Sequence, residues 1–182
     1  MALLNIFMLL SEQYRRLLEH EHSTTPWGVT GWHHAPQVLK LAEVWDARTL
    51  LDYGAGRGSL GHWFDKNAPH ALERREYEPG IARLSADPQP ADMVACIDVM
   101  EHIETECVIS VLDHIQSLAI KCVYFNISCR LAGRKLRDGR NAHLTVQAPE
   151  WWLEHLTSRW QEHYYSLDTE RQAFNWFGLF RA

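Results

Sequence analysis

Leu50–Gly61 reads LLDYGAGRGSLG: two leucines, an acid, an aromatic, then glycine at every second position from Gly54 to Gly58. With Arg48 and Thr49 in front it becomes RTLLDY, the composition of a strand buried inside a parallel sheet. Behind it, SLGHWFDKNA carries Leu60, Trp63 and Phe64 at helical spacing. Strand, glycine loop and helix in that order make a cradle in which bare N–H groups and the positive end of a helix face an approaching ligand. The spacing is Gly-x-Gly-x-Gly, not the Gly-x-Gly-x-x-Gly of dinucleotide sites, and Asp52 stands beside it. An acid at that place disfavours a pyrophosphate and suits a cationic ligand.

Outward from the loop, helical and strand-like segments alternate, which predicts an α/β sheet covered on both faces. MLLSEQYRRLLEH (8–20) and QVLKLAEVW (37–45) read as helices, with EHSTTPWGVTGWHHAP (21–36) as the loop between them. After the glycine loop come a short strand RREY (74–77), an apolar strand ADMVACIDV (91–99), an amphipathic helix over 104–119 and a strand KCVYFNISC (121–129). A helix over 148–160 starts near Pro149, and EHYYSL and AFNWFGLF suit an antiparallel hairpin. The 182 residues, 46% of them hydrophobic, are enough for one core and too few for two ordinary domains.

Four features resemble the class I S-adenosylmethionine-dependent methyltransferases. The acid-x-Gly-x-Gly-x-Gly motif is Asp52, Gly54, Gly56 and Gly58. Glu78, in YEPG at the end of the second strand, stands where the family's acid takes the ribose hydroxyls. CIDVMEHIE, with Asp98, Val99 and His102, looks like the segment beside the methyl donor. AHLTVQAPEWWLEHL is similar to the substrate-side segment after the family's fifth strand. The resemblance implies a three-layer Rossmann-like fold, mostly parallel with a C-terminal antiparallel hairpin, as a single domain over 1–182. N-terminal helices and a lid loop occupy 1–45, and the core 46–182. It also implies S-adenosyl-L-methionine as cofactor and S-adenosyl-L-homocysteine as product.

One departure is visible. Between Glu78 and Asp92 lie only 13 residues, too few for the usual helix and third strand, so this helix/strand pair is expected to shrink to a turn. The family's adenine contact then needs a substitute: Asp87, or a ring from Trp27 or Trp32, is the candidate. For catalysis, a base near the methyl is useful where the acceptor must lose a proton, and His102 and His143 are the candidates. Transfer by positioning alone is the alternative.

The segment 130–140 holds Arg130, Arg134, Lys135, Arg137 and Arg140 in a chain whose net charge is −5. Guanidinium groups there point to an anionic small-molecule substrate, with Arg130, Arg140 and Asn141 as contacts. The acidic balance, the absence of an extra basic domain and the sequence DVME in place of an Asn/Asp-Pro-Pro-aromatic motif speak against nucleic acid. Methylation of a nucleotide or nucleic acid component, and a binding protein without turnover, stay open as alternatives. The close pairs His20/His22 and His33/His34 lack a second ligand pair at a known spacing, so no metal is expected. Cys96, Cys107, Cys122 and Cys129 form no CxxC pair and are expected as reduced thiols. MALLNIFMLL lacks a basic leader region and no stretch approaches about 20 apolar residues, so a soluble cytoplasmic protein is expected, with no membrane partner. Oligomeric state is not legible.

Overall fold

The computed structural model describes residues 8–25 and 27–180. The apolar start, residues 1–7, lies outside them. The described residues form a six-stranded sheet in the order β2-β1-β3-β4-β6-β5. β1 (Thr49–Tyr53), β2 (Glu73–Tyr77), β3 (Ala91–Ile97) and β4 (Ala119–Ser128) are parallel. β6 (Ala173–Leu179) runs antiparallel to β4, and β5 (Gln161–Asp168) antiparallel to β6, which is the expected C-terminal hairpin.

Successive residues of a strand face opposite sides of a sheet, and β1 uses this directly. Leu50 packs with Ala35, Val38, Phe64 and Met93 under α2 (Gly31–Val44) and α3 (Ser59–Asn67). Leu51 and Tyr53 pack with Val94, Leu112, Trp152 and Trp176 under α4 (Val108–Leu118) and α5 (Pro149–Thr157). Three layers result. All four cysteines are free thiols.

Between β2 and β3 the chain makes a single 3-10 turn, Ala82–Leu84, and no further strand, so β2 is the edge of the sheet. The contraction expected from 13 residues is what the chain adopts. α2 departs from expectation: it starts at Gly31, six residues earlier, with Pro36 inside it. Pro36 is exposed and forfeits one helical hydrogen bond. Burial of Ala35, Val38, Leu41 and Ala42 on the opposite face carries the helix through.

α1 (Glu12–Thr24) crosses the carboxyl ends of the strands. Ser11 caps it by accepting from Tyr14 N–H at 3.1 Å, while Ser11 N–H and Oγ donate to the two Glu104 oxygens at 2.7 and 2.8 Å. Tyr14 and Leu18 bury themselves against Leu136 and Ala142. No helix among the described residues is long and apolar enough to cross a membrane.

Candidate functional site

α1 and the carboxyl ends of β1, β2 and β3 enclose a cleft of about 630 Å³, open mouth included. Gly54, Gly56 and Gly58 all have positive φ, +79°, +54° and +72°, conformations that L side chains resist. A Cβ on Gly56 would lie 2.7 Å from Gly28 Cα, so the loop before α2 closes on the glycine loop in a contact that needs glycine on both sides. Gly56 N–H donates to Glu78 Oε2 at 3.2 Å and Gly80 N–H to Glu78 Oε1 at 3.0 Å. His22 Nε2 stands 3.6 Å from Glu78 Oε1.

Two polar atoms of this cleft are buried without a hydrogen-bond partner, the Tyr14 hydroxyl and His22 Nδ1. Buried polar atoms are nearly always satisfied, so their orphaned state marks a place for a ligand's polar groups. The cleft's other end is apolar, formed by Leu9, Leu10, Val99, Ile103 and Val111 with Tyr53 and Tyr77. Asp52 lines an adjoining recess with Gly28, Thr30, Gly54 and Asp98. Burial, then the nearby carboxylates of Glu76 and Glu78, pushes Asp52 up to about 8.

Among the residues expected from the sequence to bind a cofactor, Gly54, Gly56, Glu78, Asp98, Val99 and Trp27 line the cleft together. Gly58 does not: it turns toward Glu76, whose Oε1 a Cβ there would meet at 2.6 Å. Asp87 is exposed in the loop after the 3-10 turn and is not part of the lining. Trp32 packs on α3 against His62 and Lys66. Trp27 stacks on His22, with centroids 5.5 Å apart, meets His102 edge-on at 4.9 Å and lies under the Arg134 guanidinium.

A second cleft, about 1020 Å³ with its mouth, adjoins the first, and Trp27, Asp98 and His102 belong to both walls. Its floor is a polar chain: His34 Nδ1 meets Tyr124 Oη at 2.9 Å, and Tyr124 Oη and Asn126 Nδ2 both donate to Asn175 Oδ1. Arg130, Arg134, Arg171 and His143 line its rim. Sequence reasoning missed Arg171, Asn126 and Asn175, for none carries a local motif, and it missed Tyr14, His22 and Gly28 in the first cleft.

The turn after β3 is laced to the segment that ends the basic loop. His102 Nδ1 bonds Ala142 O at 2.8 Å, Thr145 N–H donates to Glu101 O at 3.0 Å, and Ser128 N–H donates to Glu101 Oε1 at 2.8 Å. His143 Nδ1 bonds Arg130 O at 2.6 Å. Both imidazoles thus spend Nδ1 on a main-chain oxygen, which fixes the tautomer and leaves Nε2 free. Burial keeps His102 low, against the pull of Asp98; burial would raise Asp98, but the charge of His102 and the Thr30 hydroxyl hold it below the ordinary carboxylate range.

Arg140 and Asn141, expected as substrate contacts, do not join either cleft wall. Arg140 Nε donates to Asp138 at 2.7 Å and its guanidinium lies over Tyr14. Asn141 clamps the loop, exchanging hydrogen bonds with Ala132 N–H and O and accepting from His143 N–H at 2.9 Å. It orients His143.

No protein-family model matches the sequence, and no curated protein does. Solved structures match in fold. The N-methyltransferase NodS of Bradyrhizobium japonicum WM9, in complex with S-adenosyl-L-homocysteine, has a TM-score of 0.60 over 91% of this chain and 97% of its own, at 16% identity. The 1,6-didemethyltoxoflavin-N1-methyltransferase of Burkholderia thailandensis gives 0.62 over 93% and 90%, at 14% identity. Magnesium protoporphyrin IX methyltransferase ChlM from Synechocystis PCC 6803 gives 0.59 over 85% of each chain, at 14% identity. The chain has the class I methyltransferase fold.

Proposed function

We propose that this chain is an S-adenosyl-L-methionine-dependent methyltransferase acting on an oxygen or nitrogen of a small anionic molecule. The observation that carries the reading is the union of two clefts: one built from the glycine loop, Glu78 and two orphaned polar atoms, the other rimmed by arginines, with Asp98 and His102 on the wall they share.

The cofactor, when bound, supplies a sulfonium methyl that is already electrophilic. Glu78 accepts from its ribose hydroxyls, and the Tyr14 hydroxyl and His22 Nδ1 gain partners. Gly54 and Gly56 admit the amino-acid end to the backbone, and Asp52, protonated in the free chain, gives up its proton beside the incoming ammonium and complements its positive charge. Leu9, Leu10 and Val111 take the place of the family's lost third-strand contact at the adenine. Arg130 and Arg171 draw the acceptor's anionic group into the second cleft, where Arg134 is held by Glu21 over Trp27, and Asn126 and Asn175 offer it hydrogen bonds. α1 and Trp27 keep water from the junction, where alignment does most of the work. Nε2 of His102 and of His143 are the groups available to polarise or deprotonate the acceptor.

Calorimetric titration with S-adenosyl-L-methionine and S-adenosyl-L-homocysteine tests the cofactor. Binding of both, lost in Glu78→Ala, is expected; a wild-type protein that binds neither overturns the proposal. Methyl transfer to a panel of small hydroxy and amino anions then tests the acceptor class, and transfer only to neutral or cationic acceptors rejects it.

A further inference from the structure

Four side chains of ligand type meet where the two clefts join. Asp98, Glu101, His102 and His143 each offer one ligand atom, and these atoms lie within 4.8 Å of one another. The pairs close in sequence, His20/His22 and His33/His34, are not part of this group. It is not legible along the chain because His143 is 41 positions from His102 and arrives through the lacing of two loops.

Three observations separate the group from a chance cluster. The first is Glu101, wholly buried at 0% exposure. One of its oxygens accepts from Ser128 N–H, while Oε2 is buried with no donor but a proton shared with the neighbouring Asp98 carboxyl. Two buried carboxyls in contact cannot both ionise on their own: they hold a proton between them, and a cation is what can take its place. The second is the pair of imidazoles: their rings meet at 80° with centroids 4.8 Å apart, and each Nδ1 is tied to a main-chain carbonyl, Ala142 O or Arg130 O. Metal-bound histidines are held in this way, the outer N–H donating to a carbonyl or carboxylate while the other nitrogen binds. The third is position, since Asp98, His102 and His143 all line the second cleft.

We propose that Asp98, Glu101, His102 and His143 bind one divalent transition-metal ion at the junction of the clefts. Two carboxylates balance the ion's charge, and a mixed imidazole and carboxylate set favours zinc, cobalt, iron or manganese over calcium or magnesium. Ligand atoms about 2.0–2.2 Å from a common ion lie at most about 4.4 Å apart, so the group has to close by a few tenths of an ångström on binding. Asn141 and Ala142 anchor the loop that carries His143, and the Thr30 hydroxyl, 2.7 Å from Asp98 Oδ2, steadies that carboxylate. The ion's remaining coordination positions face the acceptor cleft.

The consequence for chemistry rests on the methyltransferase reading. An acceptor hydroxyl coordinated to the ion loses its proton more readily and is held in one orientation. His102 and His143 then serve as ligands, and the proton passes to solvent or buffer at the open cleft. The acceptor atom that this favours is oxygen.

The test is titration of the full chain, stripped with chelator and dialysed, with cobalt(II) chloride, read by calorimetry and by visible d–d absorption. One ion per chain is expected. His143→Ala and Glu101→Gln are each expected to weaken it by more than about a hundredfold, beyond what loss of a supporting contact costs, with far-ultraviolet circular dichroism unchanged. His70→Ala, at an exposed histidine away from the cluster, is expected to leave binding intact. Absence of binding, or binding indifferent to His143→Ala, overturns the site. Should Glu101→Gln fail to fold, His143→Ala on its half-exposed side chain still decides. Titrating the metal-free chain with S-adenosyl-L-methionine separates the two proposals: cobalt bound without cofactor removes the methyltransferase reading alone, and cofactor bound without cobalt removes the metal site alone.

Discussion

Glu78 and Gly56, 22 positions apart, are joined by a hydrogen bond in which the Gly56 N–H donates to the carboxylate at 3.2 Å. The acid at the end of β2 is thus tied to the loop at the end of β1, and Gly80 N–H takes its second oxygen at 3.0 Å. A carboxylate so fixed is aimed before any ligand arrives. Glu78→Ala is expected to weaken S-adenosyl-L-methionine by about a hundredfold, the loss of hydrogen bonds to a charged group worth roughly 1.5–3 kcal/mol each. Calorimetry measures it, and an affinity within about twofold of the parent, well under 1 kcal/mol, would move the ribose elsewhere.

The Gly28–Gly56 approach gives a second expectation. Gly56→Val would drive a branched side chain into Gly28 at a φ of +54°, so both the lid loop and the glycine loop must shift. Lower thermal stability and loss of cofactor binding are expected together. Gly133→Ala, where no atom lies within 4 Å of the new methyl, is the matched control and should change neither.

Tyr14 separates stability from binding. It is 1% exposed, and its hydroxyl faces the first cleft without a partner. Removing an unsatisfied buried hydroxyl relieves a cost of about 1–3 kcal/mol. Tyr14→Phe, which keeps the ring beneath Arg140, should therefore unfold at higher urea and bind the cofactor more weakly. Lower stability with unchanged affinity would assign the hydroxyl to the fold.

What the sequence made legible follows from how locally each feature is encoded. The strand, glycine loop and helix around Gly54 are contiguous, and the 13-residue gap after Glu78 counts out a missing strand by length alone. That Glu78 and Asp98 line the cleft was legible because each directly follows a strand, and His102 lies in the turn just beyond. Arg140 and Asn141 stand outside both cleft walls because a side chain's neighbours decide its place: Asp138 holds one, and the loop's own backbone the other. Arg171, Asn175 and Asn126 converge through the antiparallel pairing of β6 with β4, where Asn126 faces Asn175 in register. No spacing along the chain discloses that. The extent of α2 was hidden by Pro36, whose exposed ring marks a break that the buried face overrides.

Asp52 predicts a pH dependence. In the folded chain burial, then Glu76 and Glu78, raises it to about 8 from an ordinary 3.8. Between those values the folded state keeps a proton that the unfolded state has lost, so stability falls as pH rises through the window and the loss is complete above about 8. Asp52→Asn removes this contribution. The variant's stability relative to the parent should grow from pH 4 to pH 8 and then level off, as read by urea unfolding at several pH values. A difference that stays constant across the window would mean that Asp52 is ionised in the folded chain.

Arg130 and Arg140 part company in the acceptor site although they bracket the same basic loop. Arg130 is exposed on the rim of the second cleft, whereas Arg140 is bound to Asp138 and stands 3.8 Å from Glu104. Arg130→Ala is expected to raise KM for an anionic acceptor about tenfold, the loss of one charge-assisted contact partly screened by solvent, with kcat little changed. An interaction made equally in ground and transition states moves KM in this way. Arg140→Ala should leave KM alone and lower thermal stability slightly, through its contacts with Asp138 and Tyr14. Steady-state kinetics on both variants decides between them: a KM effect confined to Arg140→Ala would mean that the loop swings over the acceptor in turnover and that the guanidinium leaves Asp138 to bind it.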